Sequence, residues 1–179
     1  VHMSEHDLDL FKEKHLNIVT NPASNLKLAS GIAPIQAMLQ RNINVCLGTD
    51  GSASNNCLDM FREMFLVTGL AKYKNCDASA VDAYEVLKMA TINGAKALNL
   101  NCGVLEAGKL ADLIILDLHQ PNMQPIHNIA KNIVYSGSKS NVKCTMVNGK
   151  ILYEDGHFYV GFEIEALYDE IQKRVERLK

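Results

Sequence analysis

No stretch of this sequence approaches the roughly 20 apolar residues needed to cross a bilayer, and no basic segment followed by an apolar one stands near its start. Neither membrane insertion nor secretion is expected. Aromatic residues make up only 6% of the chain, and 18 basic side chains nearly balance 20 acidic ones. The basic, aromatic-studded surface that nucleic acid binding requires is missing, so no nucleic acid partner is expected. The five cysteines (Cys46, Cys57, Cys76, Cys102 and Cys144) are an odd set with no CxxC pair. Two of them sit inside apolar runs, where a thiol behaves as a small hydrophobe, and this usage fits a reducing, cytoplasmic setting. The six histidines include no HxH pair and no HExxH. A catalytic zinc takes at least three protein ligands, so a complete metal site is not expected within this chain. His2 and His6 lie four apart, but a helix cap at Ser4 leaves His2 outside the helix. His15 reads as a helix-end residue, and His119, His127 and His157 fall among turn residues where exposure is the ordinary fate.

What is present is 179 residues with 47% hydrophobic content, enough for one domain with a sizeable core or for a large piece of a bigger protein. The chain opens on Val1, which is not a normal translation start. It therefore reads either as a product cut from something longer or, at its "HM", as the remnant of a cloning tag.

Ser4 followed by Asp7 has the spacing of a capping box, and Leu8, Phe11 and Leu16 then recur at roughly helical intervals. "LNIVTNP" is a short strand closed by Asn21-Pro22, and "SNLKLASG" reads as loop. Pro34 stands at the start of the helix "APIQAMLQR". "INVCLGTDG" is nearly continuous in apolar character, as in a parallel strand buried on both faces. Asn55 or Asn56 is positioned to cap the long helix "CLDMFREMFLVTGLAKYK", with Leu58, Phe61, Phe65 and Leu66 as its stripe. "SAVDAYEVLKMATINGAKALNL" reads as one further helix, burying Val81, Tyr84, Leu87, Met89 and Ala90. Beyond Cys102 the pattern turns β-rich. "LADLIILDL", "NIVYSG" and "VKCTMVNGKILYEDGHFY" read as strands, with turns at Asn148-Gly149 and Asp155-Gly156. A closing helix carries Ile164, Leu167, Ile171, Val175 and Leu178 on one face. The expected division is an α/β part, residues 1–101, and a small β part with the last helix, residues 102–179.

The stretch "LGTDGSASNN" carries the chemistry-bearing candidate. Asp-Gly is ordinarily a hairpin signal, which would make Asp50 a turn former. A hairpin would return as an alternating strand, whereas "SASNN" leads into a helix, the arrangement of parallel βα units. In a (β/α) barrel, side chains at the C-terminal ends of strands face the mouth where chemistry is done. A carboxylate there can ligate a metal and take a proton from water, and the flanking glycines leave room for both. From the pattern alone both readings of Asp50 stand. Asn21, Ser24 and Asn25 after the first strand, and Ser52, Ser54, Asn55 and Asn56 after the second, could line the same mouth or serve as ordinary loop and cap residues.

"NPASNLKLASGIAPIQAML" followed by "VCLGTDGSASNN" resembles the last two barrel strands of the zinc-dependent amidohydrolase superfamily, in the branch of 5-methylthioadenosine/S-adenosylhomocysteine deaminases and related chlorohydrolases. "GVLEAGKLADLIILDL" and "TMVNGKILYEDG" resemble that superfamily's small β-sandwich. The resemblance covers essentially the whole chain. It implies an α/β fold, the C-terminal part of a TIM (β/α)8 barrel followed by part of a β-sandwich and a C-terminal helix. It further implies a zinc-dependent aminohydrolase acting on an adenine-containing nucleoside and water, with release of ammonia. Guanine-type and triazine-type hydrolases are the alternatives within the class, and a non-catalytic module is the alternative outside it. Asp50 would be the last metal ligand, the proton shuttle and a contact to the substrate amino group. The HxH pair, a later histidine with a nearby catalytic glutamate, and a further histidine lie upstream in that family and are not in this sequence. Thr20 stands where close relatives often carry histidine. A barrel reduced to two or three strands has unpaired edges, so self-association into a homo-oligomer is expected.

Overall fold

The computed structural model describes residues 1–178. Its first element is helix α1, Glu5–Glu13, which begins where the sequence predicts: the Ser4 side chain accepts from the Asp7 amide, and Asp7 accepts from the Ser4 amide in return. This reciprocal pairing satisfies two amides that the first turn would otherwise leave free. Strand β1, Asn17–Thr20, and strand β2, Asn44–Leu47, pair in parallel with Thr20 opposite Leu47. Between them stand two short helices, α2 (Pro22–Lys27) and α3 (Ile35–Gln40), the latter entered through Pro34 as expected. The reading of "SNLKLASG" as loop is corrected for its first half. Pro22 occupies the first turn of α2, where a missing N–H leaves no bond unmade, and so it starts a helix as well as ending a strand.

Helix α4 spans Met60–Asn75, and its cap is Asp59, whose carboxylate accepts from the Phe61 and Arg62 amides. Asn55 and Asn56 do not cap it, because both side chains are engaged elsewhere. Its buried face is Phe61, Glu63, Met64, Val67, Thr68 and Ala71, while Leu58 and Phe65 are exposed. Leu58 precedes the helix and so cannot join a stripe phased from Asp59. The single helix expected over residues 79–100 is two: α5, Ala83–Ala90, and α6, Ile92–Ala97. The break is Thr91, whose hydroxyl donates 2.6 Å back to the Leu87 carbonyl and whose backbone leaves the helical region. Val86, not Tyr84, is the buried centre of α5.

The second half begins with strand β3, Leu113–Leu116. "NIVYSG" is not a strand. It forms most of helix α7, Ile129–Ser136, capped by the Asn128 side chain on the Lys131 amide at 2.9 Å. A cap of this kind is worth about 1 kcal/mol, and Ala130 and Val134, four apart, pack into the core formed by α4 and α5. Local β propensity yields to that packing. Strands β4 (Val142–Val147), β5 (Lys150–Glu154) and β6 (His157–Phe158) follow β3 in an antiparallel sheet of order β3-β4-β5-β6. The two hairpins turn at the expected dipeptides, with positive φ at Asn148, Gly149, Asp155 and Gly156, as type I′ turns demand. The last helix, α8 (Ile164–Glu176), carries Ile164, Leu167, Ile171 and Val175 of the predicted stripe while Leu178 lies beyond its end, and none of its described residues is buried. The class is mixed α/β, as the sequence indicates.

One cluster of buried side chains unites α1, β2, α3, α4, α5 and α7, with Val45, Val86 and Met89 wholly inaccessible. Each such side chain contributes roughly 1.5–3 kcal/mol on leaving water. The cluster includes Val45 and Leu47 of β2, and Ile18 of β1 packs against it. On the outer edge of β2 the Asn93 side-chain amide donates to the Val45 carbonyl at 2.8 Å. No helix among the described residues is long and apolar enough to cross a membrane.

Candidate active site at the ends of two parallel strands

The parallel ladder continues one residue beyond β2, since the Gly48 amide donates to the Thr20 carbonyl at 3.0 Å. At that level the two strand ends nearly touch. A Cβ on Gly48 would lie 2.5 Å from Asn21 Oδ1 and 3.0 Å from a Val19 methyl, so any larger residue would displace the Asn21 side chain. Each chain then turns away, into α2 after β1 and into the loop of residues 48–59 after β2.

Asp50 stands at this junction with φ of +60°, a left-handed conformation that aspartate tolerates better than most residues. Its Oδ2 accepts from the Ser24 hydroxyl at 2.6 Å and its Oδ1 from the Gly51 amide at 2.7 Å. The Ser24 hydrogen bond, then that of Gly51, hold the carboxyl below the usual aspartate range against the opposing effect of desolvation, and Ser54 adds a lesser lowering. Asp50 is therefore ionised at neutral pH, and it is exposed to solvent. Two donors leave lone pairs on both oxygens free for a further ligand. The hydrogen bond to Gly51 is the local one a turn former would make. The one from Ser24 reaches across from α2, the helix that follows the other strand, which a turn does not need.

The loop behind Asp50 is tightly held. The Ser54 and Asn55 amides both donate to the Gly51 carbonyl. Asn55 is buried, and its side-chain amide donates to the Thr49 carbonyl at 2.8 Å and to Glu63 Oε1 at 2.7 Å. Glu63 is wholly buried, and its Oε2 accepts from the Ala23 amide at 2.9 Å. Burial pushes the Glu63 carboxyl up, and the hydrogen bonds from Ala23 and Asn55 offset this only in part. At the rim, Lys27 Nζ reaches Asn56 Oδ1 at 2.7 Å and the Ala53 carbonyl at 3.3 Å, bridging α2 to the second loop.

Of the polar residues picked out as pocket candidates, Ser24 and Ser54 lie at Asp50, Asn21 packs on Gly48, and Asn55 and Asn56 tie the loops together. Asn25 contributes its amide to Asn21 O within α2, and Ser52 is an exposed turn residue. Sequence reading missed Glu63. Its signal is the spacing Glu63, Val67, Ala71, which places an acid on the buried face of α4. The histidines fall as expected: His119, His127 and His157 are exposed, and the His2 ring nitrogen lies 2.8 Å from the Ser30 carbonyl. Among the described residues no group of three or more His, Cys, Asp or Glu side chains is disposed to hold a metal ion. The residues present thus fit one ligand of a zinc ion, Asp50, and not a complete cage. A groove of about 610 Å³ lies at the opposite end of β2, between Asn44 and α5 and α6.

Comparison with known proteins shows which family the chain is similar to. A 5'-deoxyadenosine deaminase of Methanosarcina mazei is 45% identical over 178 residues, which is 99% of this chain and 41% of that protein. A 5-methylthioadenosine/S-adenosylhomocysteine deaminase of Caldanaerobacter subterraneus is 43% identical, again over 99% of this chain and 41% of the relative. The chain therefore spans about two fifths of the length of these relatives. Among solved structures, an adenosine deaminase of Xanthomonas campestris with bound zinc superimposes with a TM-score of 0.94 at 35% identity, over 98% of this chain and 40% of that one. An atrazine chlorohydrolase of Arthrobacter aurescens complexed with zinc gives 0.89 at 26% identity, over 97% of this chain and 39% of that one. Residues 1–152 match the Amidohydrolase family. With a family match over most of its length and the acid of its strand-end loop hydrogen-bonded across two parallel strands, this chain belongs to the amidohydrolase family.

Proposed function

We propose that this chain is the C-terminal portion of a zinc-dependent aminohydrolase that deaminates an adenine-containing nucleoside of the 5'-deoxyadenosine or 5-methylthioadenosine/S-adenosylhomocysteine kind. Residues 1–101 contribute the last two strands of a TIM barrel. Residues 102–179 contribute part of a composite β-sandwich and the C-terminal helix. The observation that carries the reading is the Asp50 carboxylate, exposed just beyond the end of β2 and kept ionised by a hydroxyl from α2, the helix after the neighbouring strand. The deaminase names of relatives more than 40% identical support the substrate class.

Asp50 would be one metal ligand, with the remaining ligands supplied by residues outside this sequence. Zinc, when bound, would supply Lewis acidity toward water. Asp50 takes the proton that water gives up as its oxygen bonds to C6 of the adenine ring, and passes it to the departing amino group, which leaves as ammonia. Ser24 and Gly51 hold the acceptor oxygens in place through this exchange. The glutamate that would protonate the ring belongs to the upstream part.

The likeness to a chlorohydrolase favours one second reading, hydrolysis of a triazine ring. The test is release of ammonia and chloride by the full-length protein, loaded with zinc, from adenosine analogues, guanine and a chlorotriazine. Ammonia from the adenosine analogues alone is the expected result. Chloride release, or turnover of guanine only, would replace this reading with its rivals.

A further inference from the structure

Glu63 has the surroundings of a residue kept for more than packing. It is wholly inaccessible, and its two carboxylate oxygens accept from two N–H donors rather than from a lysine or arginine. A buried acid without a cation is costly, and an apolar side chain would continue the Val67 and Ala71 face at no such cost. What an apolar side chain cannot do is serve two donors, one from the first turn of α2 and one from the loop after β2.

Those donors lead to one place. Ala23 precedes Ser24, whose hydroxyl sits on Asp50 Oδ2. Asn55, besides its bond to Glu63, donates to the carbonyl of Thr49, the residue before Asp50. The geometry points to Glu63 as a positioning residue: a buried bracket that sets the Ser24 hydroxyl from one side and the Thr49–Asp50 backbone from the other, and so fixes the direction of the Asp50 carboxylate. The inference rests on the reading of Asp50 as the reacting acid. Glu63 itself touches neither substrate nor metal.

Glutamine is the discriminating replacement. It has the same shape, but it offers one acceptor and one NH2, so either the Ala23 amide or the Asn55 amide is left facing another donor. In the full-length zinc-loaded protein, Glu63→Gln lowers kcat by roughly 10- to 100-fold, the scale of a misplaced reacting group. KM stays within about threefold, because the substrate's own contacts are not altered. Combined with Ser24→Ala, the loss is smaller than the product of the two single losses, since both act through Asp50. Hydrogen exchange read by mass spectrometry gives a measure independent of turnover: amides of residues 23–24 and 49–51 exchange faster in Glu63→Gln. Should that variant fail to fold, Asn55→Ser cuts one arm only and is judged by the same criteria. A lower melting temperature with unchanged exchange at those amides and unchanged kcat would overturn the inference and make Glu63 a packing residue. If Asp50→Asn leaves turnover intact, the functional reading falls instead, and the exchange result alone decides whether Glu63 holds the loops.

Discussion

Replacing Asp50 by asparagine separates chemistry from turn formation, because the structure shows what asparagine can keep. The left-handed φ of +60° suits Asn as well as Asp. The amide oxygen can still accept from the Gly51 amide, and the Ser24 hydroxyl can rotate to accept from the new NH2 where it donated before. Both local bonds survive, and only the charge and the basicity go. The melting temperature of the full-length Asp50→Asn protein should therefore stay close to wild type. Turnover should fall by roughly 100- to 10,000-fold, the range for loss of an acid–base group, and zinc content should fall as well. Asp50→Ala, which removes both acceptors, should lose turnover and melt earlier. Measuring melting temperature, metal content and kcat side by side decides the matter. Activity of Asp50→Asn within about twofold of wild type would refute the argument and return Asp50 to the role of a turn residue.

Three further outcomes are expected. The 179-residue chain alone should bind zinc weakly and deaminate nothing, since Asp50 would supply one ligand where a site needs three or four; tight stoichiometric zinc by calorimetry with turnover would contradict this. The chain should self-associate, because β1 has one paired edge, Val19 is 57% exposed and the apolar face of α8 is uncovered; a stable monomer in light scattering would show otherwise. Stability should decline on acidification. Hydrogen bonds to Asp7, Asp50, Asp77 and Asp117 lower each carboxyl in the folded state, so each contributes stability above its unfolded value of about 3.9 and loses it as pH falls through the lower folded value. Glu63 has the opposite sign, being raised, and favours the fold on the acid side of its titration. Four lowered groups against one raised predict a net fall in melting temperature below about pH 4, and a flat profile there would count against the hydrogen bonds.

Where the sequence carried a local chemical signal, it could be read directly. The Ser4 to Asp7 spacing located the start of α1, the two dipeptides with obligate positive φ located the hairpins, and continuous apolar character located β2. Misreadings came where a distant contact decides the outcome. The β-branched run of "NIVYSG" becomes helical because α4 and α5 offer a groove for Ala130 and Val134. Pro22 was read as the end of a strand although it also opens α2. Thr91 breaks a helix through a single back-bond that no periodicity reveals. At the candidate site, Asp50 was legible from its place between glycines after an apolar run. Glu63 was not, because an acid near a helix start ordinarily faces solvent, and its burial depends on donors from residues 23 and 55 that only the fold brings near.

The seating of α7 on α4 and α5 has a bearing on synthesis. The face that carries Val67 and Val86 cannot be closed until Val134 has emerged, and chain growth of about 5–20 residues per second makes that a wait of several seconds. During that interval the nascent polypeptide presents an oily surface at the ribosome exit, where holding chaperones and neighbouring nascent chains compete for it. Slowing the arrival of this eight-residue helix should therefore lower the soluble yield of the protein.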